Sequence, residues 1–173
     1  IHDKLDIKFL VLYIMARVVA PIDLPTLADL TMCDEGVDYF AFAAAVHELV
    51  NTGHLLLEGD CYAITDQGRR NGAICESSLP YSVRVKCDRN VAKLNGRLRR
   101  DAQVRATVEP REDGAFTLTL ALDDEHGNLL TLQLLTASEQ QCSRLADRFK
   151  AHPEQIYNGV LEVLLTDYDG KEP

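Results

Sequence analysis

The sequence predicts an α+β chain, and three features carry that prediction. Through the first hundred residues apolar side chains recur at spacings of three and four, the period of helices. That period breaks once, at two short strands around Glu58-Gly59-Asp60. From Ala102 the period changes to two and returns to helical only after Ser138. A length of 173 residues suits one ordinary domain or two small ones. The changes of period divide the chain into an N-terminal domain at 1–78, a basic linker helix at 79–101 and an α+β domain at 102–173.

Residues 3–19 carry Leu5, Ile7, Phe9, Leu10, Leu12, Ile14, Met15 and Val18, too dense a set for one buried face. Such a helix is buried on several sides or shared with a partner chain, and Pro21 ends it. A second short helix covers 24–32, with Pro25 suited to its first turn. Cys33-Asp34-Glu35-Gly36 is turn chemistry. A third helix follows over about 38–52, its core stripe being Tyr39, Phe42, Val46, Leu49 and Val50, and Gly53 closes it. Strands at 54–57 and 61–64 form a tight hairpin, and Thr65 then caps a further helix.

Three helices, a two-stranded hairpin and another helix, with Leu49-Val50, Gly53-His54-Leu55, Tyr62-Ala63-Ile64-Thr65 and Gly68-Arg69, resemble the wing region of MarR-type and PadR-type winged-helix regulators. In those families a helix ends in Gly, a hairpin follows, and its second strand runs through Tyr-x-Leu-Thr toward another Gly. A second resemblance covers nearly the whole chain. Asp3-Lys4-Leu5-Asp6-Ile7-Lys8, Cys33-Asp34-Glu35-Gly36, Thr52-Gly53-His54-Leu55, Gly68-Arg69-Arg70-Asn71-Gly72 and Glu76-Ser77-Ser78-Leu79-Pro80-Tyr81-Ser82-Val83-Arg84 resemble an uncharacterised bacterial family, a domain of unknown function of winged-helix type. These resemblances imply an N-terminal winged helix-turn-helix and an intracellular bacterial setting. They imply no substrate.

Residues 66–78 continue as a helix, and Pro80 opens another to about Arg100. Along it Val83, Cys87, Val91, Leu94 and Leu98 form a narrow coiled-coil-like seam, which packs either on its own chain or against a second copy as a dimer seam. From Ala102, Val104, Ala106 and Val108 alternate with polar neighbours up to a turn at Asp113-Gly114. Phe116, Leu118, Leu120 and Leu122 follow, then a turn at Gly127-Asn128, then Leu130, Leu132 and Leu134. This pattern is a three-stranded antiparallel meander with one buried face. Ser138 and Gln141 make a capping box for a helix with Cys142, Leu145, Ala146 and Phe149 on its core face. Pro153 begins a last helix, with Ile156, Val160, Val163 and Leu164 facing inward.

The charge map narrows the function. The formal net charge of -9 disfavours non-specific nucleic-acid binding by the chain as a whole. Yet residues 69–105 hold ten basic and three acidic side chains, between two acidic flanks. No Lys or Arg lies between Arg17 and Arg69, so the third helix and the Glu58-Gly59-Asp60 wing tip would meet phosphate with like charge. DNA contact, if made, falls to Arg69, Arg70, Arg84, Lys86, Arg89, Lys93, Arg97, Arg99 and Arg100. The same belt also reads as a solvated helix that neutralises its acidic neighbours.

The composition, 46% hydrophobic and 26% charged, excludes disordered and membrane-spanning classes, and no secretion leader is expected. Five cysteines without a Cys-x-x-Cys pair argue for reduced thiols in a cytoplasm, not for a disulfide framework or a zinc knuckle. In Cys33-Asp34-Glu35-Gly36 the two acids should raise the thiol pKa and disfavour thiolate. Asp123-Asp124-Glu125-His126 offers four ligand types but reads as a solvated hairpin tip. No phosphate loop, nucleophile elbow or dinucleotide fingerprint is present, so no enzyme, metal or cofactor is expected. The expectation is a non-catalytic transcription regulator, a cytoplasmic homodimer that contacts DNA through the basic linker. The alternative is an acidic winged-helix module that binds a protein and no DNA.

Overall fold

A computed structural model describes residues 3–171, which form two compact units that divide between Arg99 and Arg100. The first unit opens with α1 (Lys4–Met15), capped by the Asp3 carboxylate, which accepts from Leu5 N–H at 3.3 Å. Residues 10–15 are all buried, so this helix has no solvent face over its second half. Its burial on every side comes from its own unit. The helix stops at Met15 and leads through turns toward Pro21 rather than continuing to residue 19.

Two residues the sequence reading left unassigned, Ile22–Asp23, form β1. Asp23 also caps α2 (Leu24–Thr31), accepting from Thr26 N–H at 2.9 Å, with Pro25 in the first turn as its fixed φ favours. After the turn at Cys33-Asp34-Glu35-Gly36, Asp38 caps α3 (Tyr39–Asn51). Its buried stripe is Phe42, Ala45, Val46 and Leu49, with Val50 partly buried. Tyr39, expected in that stripe, is half exposed: it is the first helical residue, and its ring rests 6.0 Å from those of Phe40 and Phe42 at the helix end.

β2 (Leu55–Glu58) and β3 (Cys61–Ile64) make the expected hairpin, with Gly59 at φ 59° in its turn. β1 pairs antiparallel with the outer side of β3, Ile22 opposite Tyr62, giving a three-stranded sheet in the order β1-β3-β2. α4 (Asp66–Cys75) starts at Thr65, whose hydroxyl accepts from Gly68 N–H at 3.1 Å and donates to the Gly53 carbonyl at 2.6 Å. A Cβ on Gly68 would stand 2.2 Å from the His54 carbonyl oxygen, so this helix start fits against the hairpin only with glycine there.

The helix after Thr65 ends at Cys75; residues 76–78 form a single 3₁₀ turn. α5 (Tyr81–Gln103) follows, and as far as Arg99 it belongs to the first unit rather than to a separate linker. Val83, Cys87, Val91 and Leu94 are buried in that unit's core, and Leu98 packs against it. Of the two packings the sequence left open for Val83, Cys87, Val91, Leu94 and Leu98, own chain or a second copy as a dimer seam, the structure has the stripe packed in its own unit's core.

The second unit is the predicted meander: β4 (Val104–Pro110), β5 (Phe116–Asp124) and β6 (Gly127–Thr136), in that order and antiparallel. α6 (Glu139–Ala151) is capped by Ser138 and lays Cys142 and Phe149 on the face formed by Leu118, Leu120 and Leu122. The register puts Val108, Leu118 and Leu134 in one row across the sheet. Leu118 at its centre is fully buried, whereas Val108 and Leu134 on the edge strands are 43% and 38% exposed. α6 meets all three strands, but at this row the two edge-strand side chains stay open.

α7 (Pro153–Leu165) corrects the sequence reading most. It has no buried residue; Ile156 and Tyr157 pack on the core, but Val163 and Leu164, expected inside, are 59% and 73% exposed. The amphipathic pattern is present, but the chain supplies a surface only for the first half of the helix. Among the described residues no helix is long and apolar enough to cross a membrane.

Candidate functional site

The cations of the basic belt fall into different environments. Arg69 and Arg70 project from α4; Arg69 donates to the Ala16 carbonyl at 3.1 Å, closing the C-terminal end of α1, and Arg70 is exposed. Arg84 is half-buried, its guanidinium 5.8 Å from the Tyr81 ring centroid and its Nε enclosed without a hydrogen-bond partner. At about 100° per residue, Arg84 and Lys93 lie on opposite sides of α5, and Arg99 is turned about 120° from Lys93.

The remaining five, Lys86, Arg89, Lys93, Arg97 and Arg100, are spaced three, four, four and three and are all exposed. That spacing places them on one face of a single helix, beside rather than within the apolar stripe. Among the described residues none of the five has a carboxylate within 4 Å. A helix presenting exposed cations about every turn is suited to a polyanion, because its cations can replace the counter-ions condensed around fixed phosphates.

The acidic surface is also organised. Glu48 on α3 binds the ammonium groups of Lys4 and, at 2.6 Å, Lys8 on α1, which together hold its carboxyl down at about 2. The two α1 lysines are therefore engaged. The outer face of α3 shows Phe40, Ala44, His47 and Asn51, with Phe40 81% exposed and no cation among the first two turns. Leu56 and Leu57 are exposed on β2, next to Glu58 and Asp60 at the hairpin tip.

Position in sequence gave no signal for two further features of the first unit. One is a polar knot between α1 and α5. Tyr13 Oη donates to Asp88 at 2.7 Å; Arg17 binds Glu76 at 3.0 Å and Asp88 at 3.4 Å, and its guanidinium lies 3.5 Å over the Tyr13 ring. Asn95 fastens the same junction, accepting from Val19 N–H and donating to the Arg17 carbonyl, both at 2.9 Å. The other is a groove of about 310 Å³ floored by Phe9, Leu12 and Leu49. His54 stands at its rim, its two ring nitrogens 2.7 Å from Thr52 Oγ1 and 2.6 Å from Asn71 Nδ2.

The hairpin tip at 123–126 is built as a turn. Asp124 accepts from His126 N–H at 2.7 Å and Gly127 N–H at 3.1 Å, and Asp123 pairs with Arg105 at 2.7 Å. Among the described residues no three His, Cys, Asp or Glu side chains gather closely enough to hold a metal ion.

Fold and site together define an α+β protein of two units with a cation-striped helix closing the first. The chain belongs to the family described as "Domain of unknown function (DUF4364)", whose sequence model matches residues 7–164. No curated protein and no solved structure matches it.

Proposed function

We propose that the protein is a non-catalytic, cytoplasmic regulator of winged-helix type that tracks the phosphates of duplex DNA with one face of α5. The observation that carries this reading is the exposed row Lys86, Arg89, Lys93, Arg97 and Arg100 on one face of α5. The element order of the first unit, with a short strand before the second helix pairing into the hairpin sheet, supports the winged-helix assignment. The acidic hairpin and third helix disfavour the usual docking of this fold, so α5 takes the role that a recognition helix has elsewhere. The reading includes a homodimer. Its interface lies away from the filled α5 seam, and the β6 edge, with no charged residue in Gly127–Thr136, is the surface that supports it.

Fluorescence anisotropy with a labelled random-sequence duplex, across about 20 to 200 mM salt, tests the proposal. Affinity should fall steeply with salt, and replacing Arg89, Lys93 and Arg97 together by Ala should lower the log–log slope by about 0.9 per lost contact. An unchanged slope overturns the assignment to α5. No binding at the lowest salt by a folded protein favours a second reading, a protein-binding module. The outer face of α3, with Phe40 exposed at its N-terminal end, supports that alternative.

A further inference from the structure

The five cysteines do not share one environment. Cys142 lies in the second unit's core with its sulfur 2.8 Å from Thr136 Oγ1, and Cys61 and Cys75 are half-buried on β3 and α4. Cys33 and Cys87, by contrast, come together from positions 54 residues apart, with their sulfurs 3.2 Å from each other. Among the described residues no other two cysteine sulfurs are in hydrogen-bond contact. A disulfide bond is about 2.05 Å long, so closing this pair requires the sulfurs to approach by only about 1 Å.

We propose that Cys33 and Cys87 form a peroxide-oxidisable dithiol, closing reversibly into a disulfide that fastens the α2–α3 turn to α5. The two positions suit different roles. Cys33 lies in a turn and is partly exposed, so a small oxidant reaches it from solvent. Cys87 is fully buried on the apolar stripe of α5 and is reached only through Cys33. The electrostatics agree with that division. A hydrogen bond from the Cys87 thiol favours the Cys33 thiolate and lowers the Cys33 pKa, with Lys86 assisting, against burial and the nearby Asp34 carboxylate. Cys87 is pushed upward by the same hydrogen bond and by burial, and stays a thiol. The contact with Cys87 thus opposes the upward pull that the acidic neighbour Asp34 exerts on the Cys33 thiol.

The chemistry runs in two steps. The Cys33 thiolate attacks one oxygen of hydrogen peroxide; the O–O bond breaks, hydroxide leaves and is protonated to water, and Cys33 becomes a sulfenic acid. Cys87 then attacks the Cys33 sulfur; the S–O bond breaks, and the departing hydroxide takes up the Cys87 proton as a second water. Two thiols lose two electrons to the peroxide, and a dithiol reductant reverses the change. Cys33 is thus the peroxidatic thiol and Cys87 the resolving one.

The test uses the full chain, reduced and then treated with equimolar hydrogen peroxide. Free thiols are counted in denaturant, and the cysteines are mapped by alkylation and peptide mass spectrometry. The titratable thiols should fall from five to three, the missing pair should be one peptide linking Cys33 to Cys87, and dithiothreitol should restore all five. Cys33→Ser, at the partly exposed turn, should keep all four of its thiols under the same dose. The proposal is overturned if five thiols persist in the wild-type chain, if the link joins other cysteines or two chains, or if Cys33→Ser still loses a pair. The wild-type map stands whether or not a variant folds.

Discussion

Tyr13 ties α1 to α5 through its hydroxyl. Burial and the hydrogen bond to Asp88 push its pKa up to about 12, only partly opposed by the Arg17 guanidinium. In the unfolded chain the phenol titrates near 10. Below pH 10 both states hold the proton and the contribution to stability is intact; between pH 10 and 12 only the unfolded chain loses it, so stability drops. Tyr13→Phe should remove that alkaline decline while costing about 1 kcal/mol near neutral pH, as a lost hydrogen bond does. Urea midpoints of the two proteins at pH 8 and pH 11 measure it, and parallel declines would contradict the assignment. None of this was legible in the sequence. Local spacing identified Thr65 and Ser138 as helix starts, because a cap bonds within three residues; Asp3, Asp23 and Asp38 cap α1, α2 and α3 in the same way without having been singled out. Tyr13 and Asp88, like Cys33 and Cys87, are brought together only by the packing of α1 or the α2–α3 turn against α5.

Elements differ in how much of their surface the chain covers, and that difference predicts their opening. α1 is enclosed over residues 10–15, whereas α7 of similar length has no buried residue. A thirteen-residue helix held by half a face is marginal in water. Hydrogen exchange should therefore release α7 amides at least a hundredfold faster than those of residues 10–15, and equal protection would mean that the outer half of α7 is covered in solution. The sequence read both as amphipathic helices because periodicity reports which residues seek an apolar partner, not whether one is present. The same limit separates Leu118 from Val108 and Leu134, which share a row but not a cover. β1 escaped notice for the opposite reason. Two residues carry no period, and Ile22–Asp23 is a strand only because β3 lies beside it.

The two units close their cores on separate residues, α1, α3 and α5 around Leu10 and Phe42 in one, and the sheet with Phe149 in the other. Phe149→Ala should cost about 3–5 kcal/mol in the second unit alone. Limited trypsin digestion should then cut at Arg111, Arg144 and Arg148 while leaving a resistant fragment that retains α1 through most of α5. Loss of that fragment at the same rate would mean one shared cooperative core. At this scale the sequence was informative: the change of period near residue 102 lies close to the boundary at Arg99–Arg100, and the acidic–basic–acidic order placed the cation stripe on α5. A seam of the right spacing, such as that of α5, does not by itself say which surface fills it. The enclosure of α1 also sets an order of events at the ribosome. Its partner Asp88 is made 75 residues after Tyr13, roughly 4–15 seconds later at ordinary elongation rates. Until α5 emerges, Leu10 to Met15 have no complete core to enter, so the nascent chain carries a sticky apolar segment that a chaperone must shield or that neighbouring chains will find first.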